Sequence, residues 1–442
     1  MKEDSHSPLH HAALSGQPSR VELLLVSGAY LEARDTSENT PLHLAAWKGH
    51  TNIVELLLDK DASTQARNKS LNTPLHMAAW NGHSGVVELL LRNDHTVVVE
   101  LLHRNGASTE AQNRYRYTPL HLAVSKGHTG LVDLLLGEGA PIEALDKNRN
   151  TPLHLATRCG YTSTVELLLK KGAFIQARNM YLHTPLHLAA LNGHTCIVEL
   201  LLMRGAPIQA DTNREGNNPL HLAARSGHTS VVELLLGKGT SMEATNLDHN
   251  TPLHIAARYG HTGVVELLLR KGALIKAINC HTDTPLHIAV RNGHIGLVEL
   301  LLGKGAPIEA TNKDGNTPLY LAASCCHIGV MELLLRRGAS VKVTSKCKDT
   351  LLHLAVRRHN TRMIELLLGK GASIGAKNNY GNSPLHLAAL GGLTGIVELL
   401  LAKGASIQAL NGYNKTPLQL AVGGTVQLLE NKAAQLVHEN GS

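Results

Sequence analysis

Apolar and polar positions along this chain fall into two short blocks that keep returning. The first block of a typical copy is Thr251-Pro-Leu-His-Ile-Ala-Ala-Arg-Tyr-Gly-His261, in which Leu253, Ile255, Ala256 and Ala257 share one face at helical spacing. Thr251 stands where a helix N-cap is preferred, and Pro252 at the first helical position, where its missing N–H costs nothing. Gly260 predicts the stop, because glycine takes positive φ without strain. The second block, Val264-Val-Glu-Leu-Leu-Leu269, predicts another helix over about 262–270 that buries Val265, Leu267, Leu268 and part of Leu269. Asn246-Leu-Asp-His-Asn250 ahead of the pair is rich in turn formers and predicts a surface hairpin-like loop. Burying one Leu is worth about 1.5–3 kcal/mol, but only when a neighbouring unit covers it.

Copies of the phrase start at Ser7, Thr40, Thr73, Thr118, Thr151, Thr184, Asn218, Thr251, Thr284, Thr317, Thr350, Ser383 and Thr416, and all but two intervals are 33 residues. A fixed period of this size means a solenoid whose units contact mainly their neighbours. The Thr-Pro-Leu-His tetrapeptide, the Gly-His turn and the Val-Glu-Leu-Leu-Leu helix recur in phase over about residues 5–440, and they closely resemble the ankyrin repeat family. The resemblance implies an all-α fold with short hairpin loops, its L-shaped units of two antiparallel helices stacked into one curved superhelical array. In that family the hairpin tips and first helices form a concave surface that binds proteins. The whole of 1–442 then reads as one solenoid, with an N-terminal cap at 1–34, repeats at 35–410 and a C-terminal capping repeat at 411–442.

The departures are local. The interval from Thr73 to Thr118 is twelve residues too long, and Val98-Val-Glu-Leu-Leu102 echoes Val86-Val-Glu-Leu-Leu-Leu91. An outward bulge or extra helix is expected near 92–103, with a local change of superhelical path. One extra residue falls near Asp211 to Asn213, and Asp61 replaces a closing glycine. The Thr317 unit carries Tyr320 for His and Cys326 for the turn glycine, and the Thr350 unit has Leu351 for Pro and His359-Asn360 at its turn. Residues 317–365 are expected to be the soft joint. Many ankyrin repeats place a hydroxylatable asparagine just before the alanine that enters each hairpin. That position holds Glu32, Gln65, Glu110, Glu143, Gln176, Gln209, Glu243, Lys276, Glu309, Lys342, Gly375 and Gln408 here, none of them asparagine, so the modification is not carried over.

Composition changes this picture little. Only 3% of residues are aromatic, with Phe174 the single phenylalanine, so the core is filled by Leu, Val, Ile and Ala. A net charge of +7 over 442 residues does not demand nucleic acid. Met1 to His6 leads into no apolar run, no stretch approaches the ~18 apolar residues of a membrane span, and the six cysteines form no C-x-x-C pair. These features favour a reducing compartment, the cytoplasm or the nucleus, over secretion.

Histidine is abundant at 28, yet eleven occupy the Thr-Pro-Leu-His slot and eight the slot after the turn. The family resemblance implies structural hydrogen bonds for both, and no ligand cluster with metal spacing recurs. There is no P-loop, no G-x-G-x-x-G and no distinct nucleophile–base constellation, so no catalytic, cofactor or metal residue is expected. The two residues before each turn glycine are different. Across the first twelve units they include Lys48, Lys126, Arg158, Arg225, Arg258, Arg291, Arg357 and Arg358 and no acid, whereas the second helices carry the acids. Trp47 and Trp80 share one position in adjacent units, Tyr259 lies on the same face, and Tyr115, Tyr117 and Tyr181 stand on hairpins. Aromatics and Arg dominate interface hot spots. The expectation is a monomeric, non-enzymatic scaffold that binds a protein with an acidic or extended segment, without small-molecule substrate, cofactor or membrane insertion. An adaptor or effector that delivers its bound protein to other machinery is the alternative. Nucleic acid is disfavoured by the Glu and Gln along the hairpin edges.

Overall fold

The computed structural model describes residues 6–92, 106–208 and 212–440. Among these it contains 26 helices and no strand, only an isolated bridge between Thr344 and Thr350, so the fold is an all-α repeat solenoid. The chain divides between Leu222 and Ala223 into two compact units. No helix among the described residues is long and apolar enough to cross a membrane.

The Thr251 repeat shows how sequence becomes structure. Its helices are Pro252–Tyr259 and Thr262–Arg270, and Gly260 ends the first at φ 74°. Leu253, Ile255, Ala256, Ala257, Val264, Val265, Leu267 and Leu268 are buried, and Leu269 is half-buried. The expected hairpins are tight turns. In the next repeat the Asp283 carbonyl accepts from the Asn279 N–H at 3.2 Å, and the Asn279 carbonyl accepts from the Thr282 N–H at 2.9 Å, with Thr282 at φ 55°. The Asn279 side chain locks this turn by accepting from the N–H groups of His281 and Asp283.

The first-slot histidines join one repeat to the next. His254 Nδ1 accepts from the Thr251 N–H at 3.2 Å, which leaves the ring proton on Nε2, and Nε2 donates to the Asp283 carbonyl at 3.1 Å. Three further bonds join the Thr251 and Thr284 repeats in the same way. Asn279 Nδ2 donates to Asn250 Oδ1, the Cys280 N–H donates to the Asp248 carbonyl, and His294 Nε2 donates to the Arg258 carbonyl. The ring of His294 also covers the turn before it: a Cβ on Gly260 would lie 2.7 Å from the ring. That close approach, together with the positive φ, is why the turn needs glycine.

The same four bonds span the long interval after Thr73. His76 donates to the Tyr117 carbonyl, Asn113 to Asn72, the Arg114 N–H to the Ser70 carbonyl, and His128 to the Trp80 carbonyl. The repeats on either side are therefore bonded as if the extra residues were absent. The expected bulge near 92–103 lies outside the described residues except for Arg92, which ends the helix Ser84–Leu91. The extra residue near Asp211 also falls largely outside them, while the turn Asn213–Asn217 keeps the usual form.

At the junction between the Thr317 and Thr350 repeats, none of the four bonds forms. Tyr320 replaces the first histidine and Ser345 the turn asparagine, the Lys346 N–H makes no bond to the Asp314 carbonyl, and Asn360 replaces the second histidine. The compensations are smaller. Glu309 still accepts the Ser340 N–H across the junction at 2.7 Å, and Asn360 caps its own helix through Met363 N–H at 2.9 Å. Cys326, at φ 59°, has a Cβ at a turn position that is glycine in most other repeats, and the residue in the second-histidine slot of the following repeat is the smaller Asn360. Net hydrogen bonds are worth about 1 kcal/mol each, so this junction opens most easily. Hydrogen exchange should show amides of 351–357 exchanging at least about tenfold faster than those of 285–291. Equal protection of the two helices would remove the joint.

Candidate protein-binding face

The residues just before each turn are exposed at the ends of the first helices, and the backbone beneath them is fixed. The carbonyls of Trp47, Trp80, Arg158, Arg225, Arg258 and Arg291 each accept a hydrogen bond from the second-slot histidine of the following repeat, at 2.8–3.3 Å. These histidines thus hold the candidate binding residues in place. They account for six of the chain's 28 imidazoles.

In the N-terminal unit, Trp47 and Trp80 are 39% and 43% exposed. Lys48 Nζ lies 4.5 Å from the Trp47 ring centroid, and Lys126 Nζ 3.9 Å from that of Trp80. Cation and indole therefore form one amphipathic surface, held by an attraction of about 0.5–1 kcal/mol at such exposed sites. Tyr115 and Tyr117 pack at a tilt on the turn after the interval, with rings 6.3 Å apart, and Tyr117 lies against His121. Tyr181 packs on His183 at its own turn. Arg158 is exposed on its first helix.

In the C-terminal unit, Arg225 lies 5.5 Å over the Tyr259 ring. Arg258 and Arg291 border one pocket, while Arg357 borders another near Tyr380 and Tyr413. Arg358 is exposed beside Arg357. Arg291 and Arg357 are not open charges. Arg291 makes a bidentate pair with Asp283, at 2.8 and 3.2 Å, and Arg357 pairs with Asp349 at 3.0 Å. Asp283 is 0% exposed and also accepts from Asn312 Nδ2. In both cases the Asp immediately precedes the Thr start and the Arg follows eight residues later, a spacing that no helix or strand rule pairs.

The second-helix acids are balanced locally as well. Asp133, Glu166 and Glu299 pair with Lys171, Arg204 and Arg337 of the following repeat at 2.7–3.5 Å. These exposed pairs contribute little stability each, but they narrow the charge contrast between the two sides. The loop glutamates have another task. Glu32, Glu143, Glu243 and Glu309 accept the backbone N–H of Ser63, Phe174, Leu274 and Ser340 in the following repeat. Burial raises the Glu143 carboxyl above its ordinary pKa.

The first-slot histidines are shifted the other way. Burial lowers His43, His76, His154 and His254 from 6.5 to about 4, against smaller raising effects of their carbonyl bonds. Among the described residues no group of three His, Cys, Asp or Glu is arranged to hold a metal ion.

The family model described as Ankyrin repeats (3 copies) matches residues 9–99, 92–179, 179–246, 238–312, 274–345, 330–411 and 352–440. No curated protein matches the chain. Among solved structures it is similar to the human ASB11 ankyrin repeat domain, with 30% identity over 51% of this chain and 99% of that one, at a TM-score of 0.47. It is also similar to the ankyrin repeat domain of Bcl-3, described as a unique member of the IkappaB family, with 32% identity over 49% of this chain and all of that one, at a TM-score of 0.46. With matches running from residue 9 to residue 440, the chain belongs to the ankyrin repeat family.

Proposed function

We propose that this chain is a non-enzymatic scaffold that holds a protein partner against the exposed ends of its first helices. Ankyrin repeats as a class mediate protein–protein interaction. The observation that carries the reading is the pair of half-exposed tryptophans, each roofed by a lysine and each seated on a histidine-anchored carbonyl. Rigid aromatic anchors of this kind supply contact area at low ordering cost. The basic residues Arg158, Arg225 and Arg258 add attraction for acidic segments, which speeds capture more than it deepens affinity.

The test is capture from a cell lysate by wild type and two variants, Trp47→Ala with Trp80→Ala, and Arg225→Glu with Arg258→Glu. Arg291 is left intact because its partner is a buried acid. A protein retained by wild type and lost from either variant, with circular dichroism unchanged, is the expected result. Identical capture by all three removes the first-helix face as the binding surface.

A further inference from the structure

Between the turn tips and first helices of the Thr251 and Thr284 repeats lies a pocket of about 210 Å³. Arg258 and Arg291 border it from the first helices, and Asp248, His281 and Asp283 from the turns. Its volume equals that of about seven waters, enough for one side chain and its backbone.

Two successive copies of one arrangement border this pocket, and they differ by one charge. In the later copy, Arg291 grips the Asp283 carboxylate, eight residues earlier, in a two-pronged bond. In the earlier copy the equivalent residues are Arg258 and Asn250, a neutral amide whose oxygen already accepts from Asn279 Nδ2 at 3.0 Å. No ion pair reaches Arg258 among the described residues, and its carbonyl is pinned by His294. The protein itself thus shows the ligand that this position takes, and at Arg258 it does not supply one.

We infer that the pocket receives a carboxylate from an extended segment of a partner protein, with the Arg258 guanidinium as the receiving group. The inference rests on the protein-binding reading and narrows it to one residue of the partner. Fork-shaped pairing of Arg with carboxylate gives both strength and direction. Asp248 on the turn side works against a run of acids and against a doubly charged phosphate. The preferred segment therefore carries a single Asp or Glu whose neighbour is an amide or a base.

A library of random twelve-residue peptides displayed on phage is the probe, selected on full-length wild type, Arg258→Gln, Arg258→Glu, and Trp47→Ala with Trp80→Ala. Wild type is expected to enrich peptides with an acid at one fixed position. Arg258→Gln should weaken a selected synthetic peptide by roughly tenfold or more, and Arg258→Glu should turn the enriched acid into Lys or Arg. Peptides without a fixed acid, or an unchanged consensus with Arg258→Glu, overturn the inference. If that consensus disappears in the tryptophan variant, the broader binding reading survives while the pocket assignment does not. Failure to enrich any peptide on wild type also overturns the pocket assignment, and the lysate experiment then judges the broader reading separately.

Discussion

Lowering the pH from 7.5 to about 5 is expected to lower this protein's stability by several kcal/mol before the bulk of its carboxylates titrate. His43, His76, His154 and His254 are buried neutral with pKa lowered to about 4, against 6.5 in the unfolded chain. Between those values the unfolded state binds more protons than the folded one. The stabilisation is therefore complete above about pH 6.5 and is lost as pH falls toward 4. By pH 5 each of the four costs about 2 kcal/mol, on the order of 8 kcal/mol together. His10, His121, His287, His353 and His386 are lowered in the same direction by burial and add to the loss. Urea titrations followed by circular dichroism should show the midpoint falling steadily from pH 7 to 5. A constant midpoint over that range would mean that the rings are not held neutral.

The second large effect is expected from a single arginine. Arg291→Ala leaves Asp283, a fully buried carboxylate, with only Asn312 and backbone dipoles around it. Removing one partner of a buried ion pair typically costs about 3–5 kcal/mol. Asp283→Asn should cost far less, because Asn250, Asn316 and Asn382 fill the same position in other repeats. Combining the two changes should recover most of what Arg291→Ala loses. Arg258→Ala, at the same position one repeat earlier, has no buried acid to abandon and should stay within about 0.5 kcal/mol of wild type. Equal losses for Arg258→Ala and Arg291→Ala in urea unfolding would show that the buried pair contributes nothing.

The helices and their ends were legible because each rests on a local rule. Threonine before Pro252 and glycine at 260 announce themselves within a few residues, and the period of 33 says that every copy obeys them. The candidate face was legible by position too, since helix spacing places Trp47 and Trp80 alike. What the sequence concealed is which charges are open. Asp283 lies in a turn and Arg291 near a helix end, so neither the helical i,i+4 rule nor the strand alternation rule pairs them. Only the fold brings them together. The task of the second histidine was hidden for the same reason, since its ring acts on the repeat before its own. The loop glutamates looked like a departure from a modification motif. They act instead as hydrogen-bond acceptors for the next repeat.

Most bonds between repeats end on a backbone carbonyl, a group that every residue owns. A histidine at the required place finds its acceptor whatever side chains its neighbour carries. Such a chain can gain or lose 33 residues in frame without any matching change next door, and its length is free to drift. Cys326 and Asn360 break that freedom. A histidine restored at 360 would drive its ring against the Cys326 Cβ, as the other turns show with separations under 3 Å. These two positions can revert only together, or in the order Cys326 first. Among the described residues, the junction with the fewest bonds is therefore also the one whose two sides constrain each other.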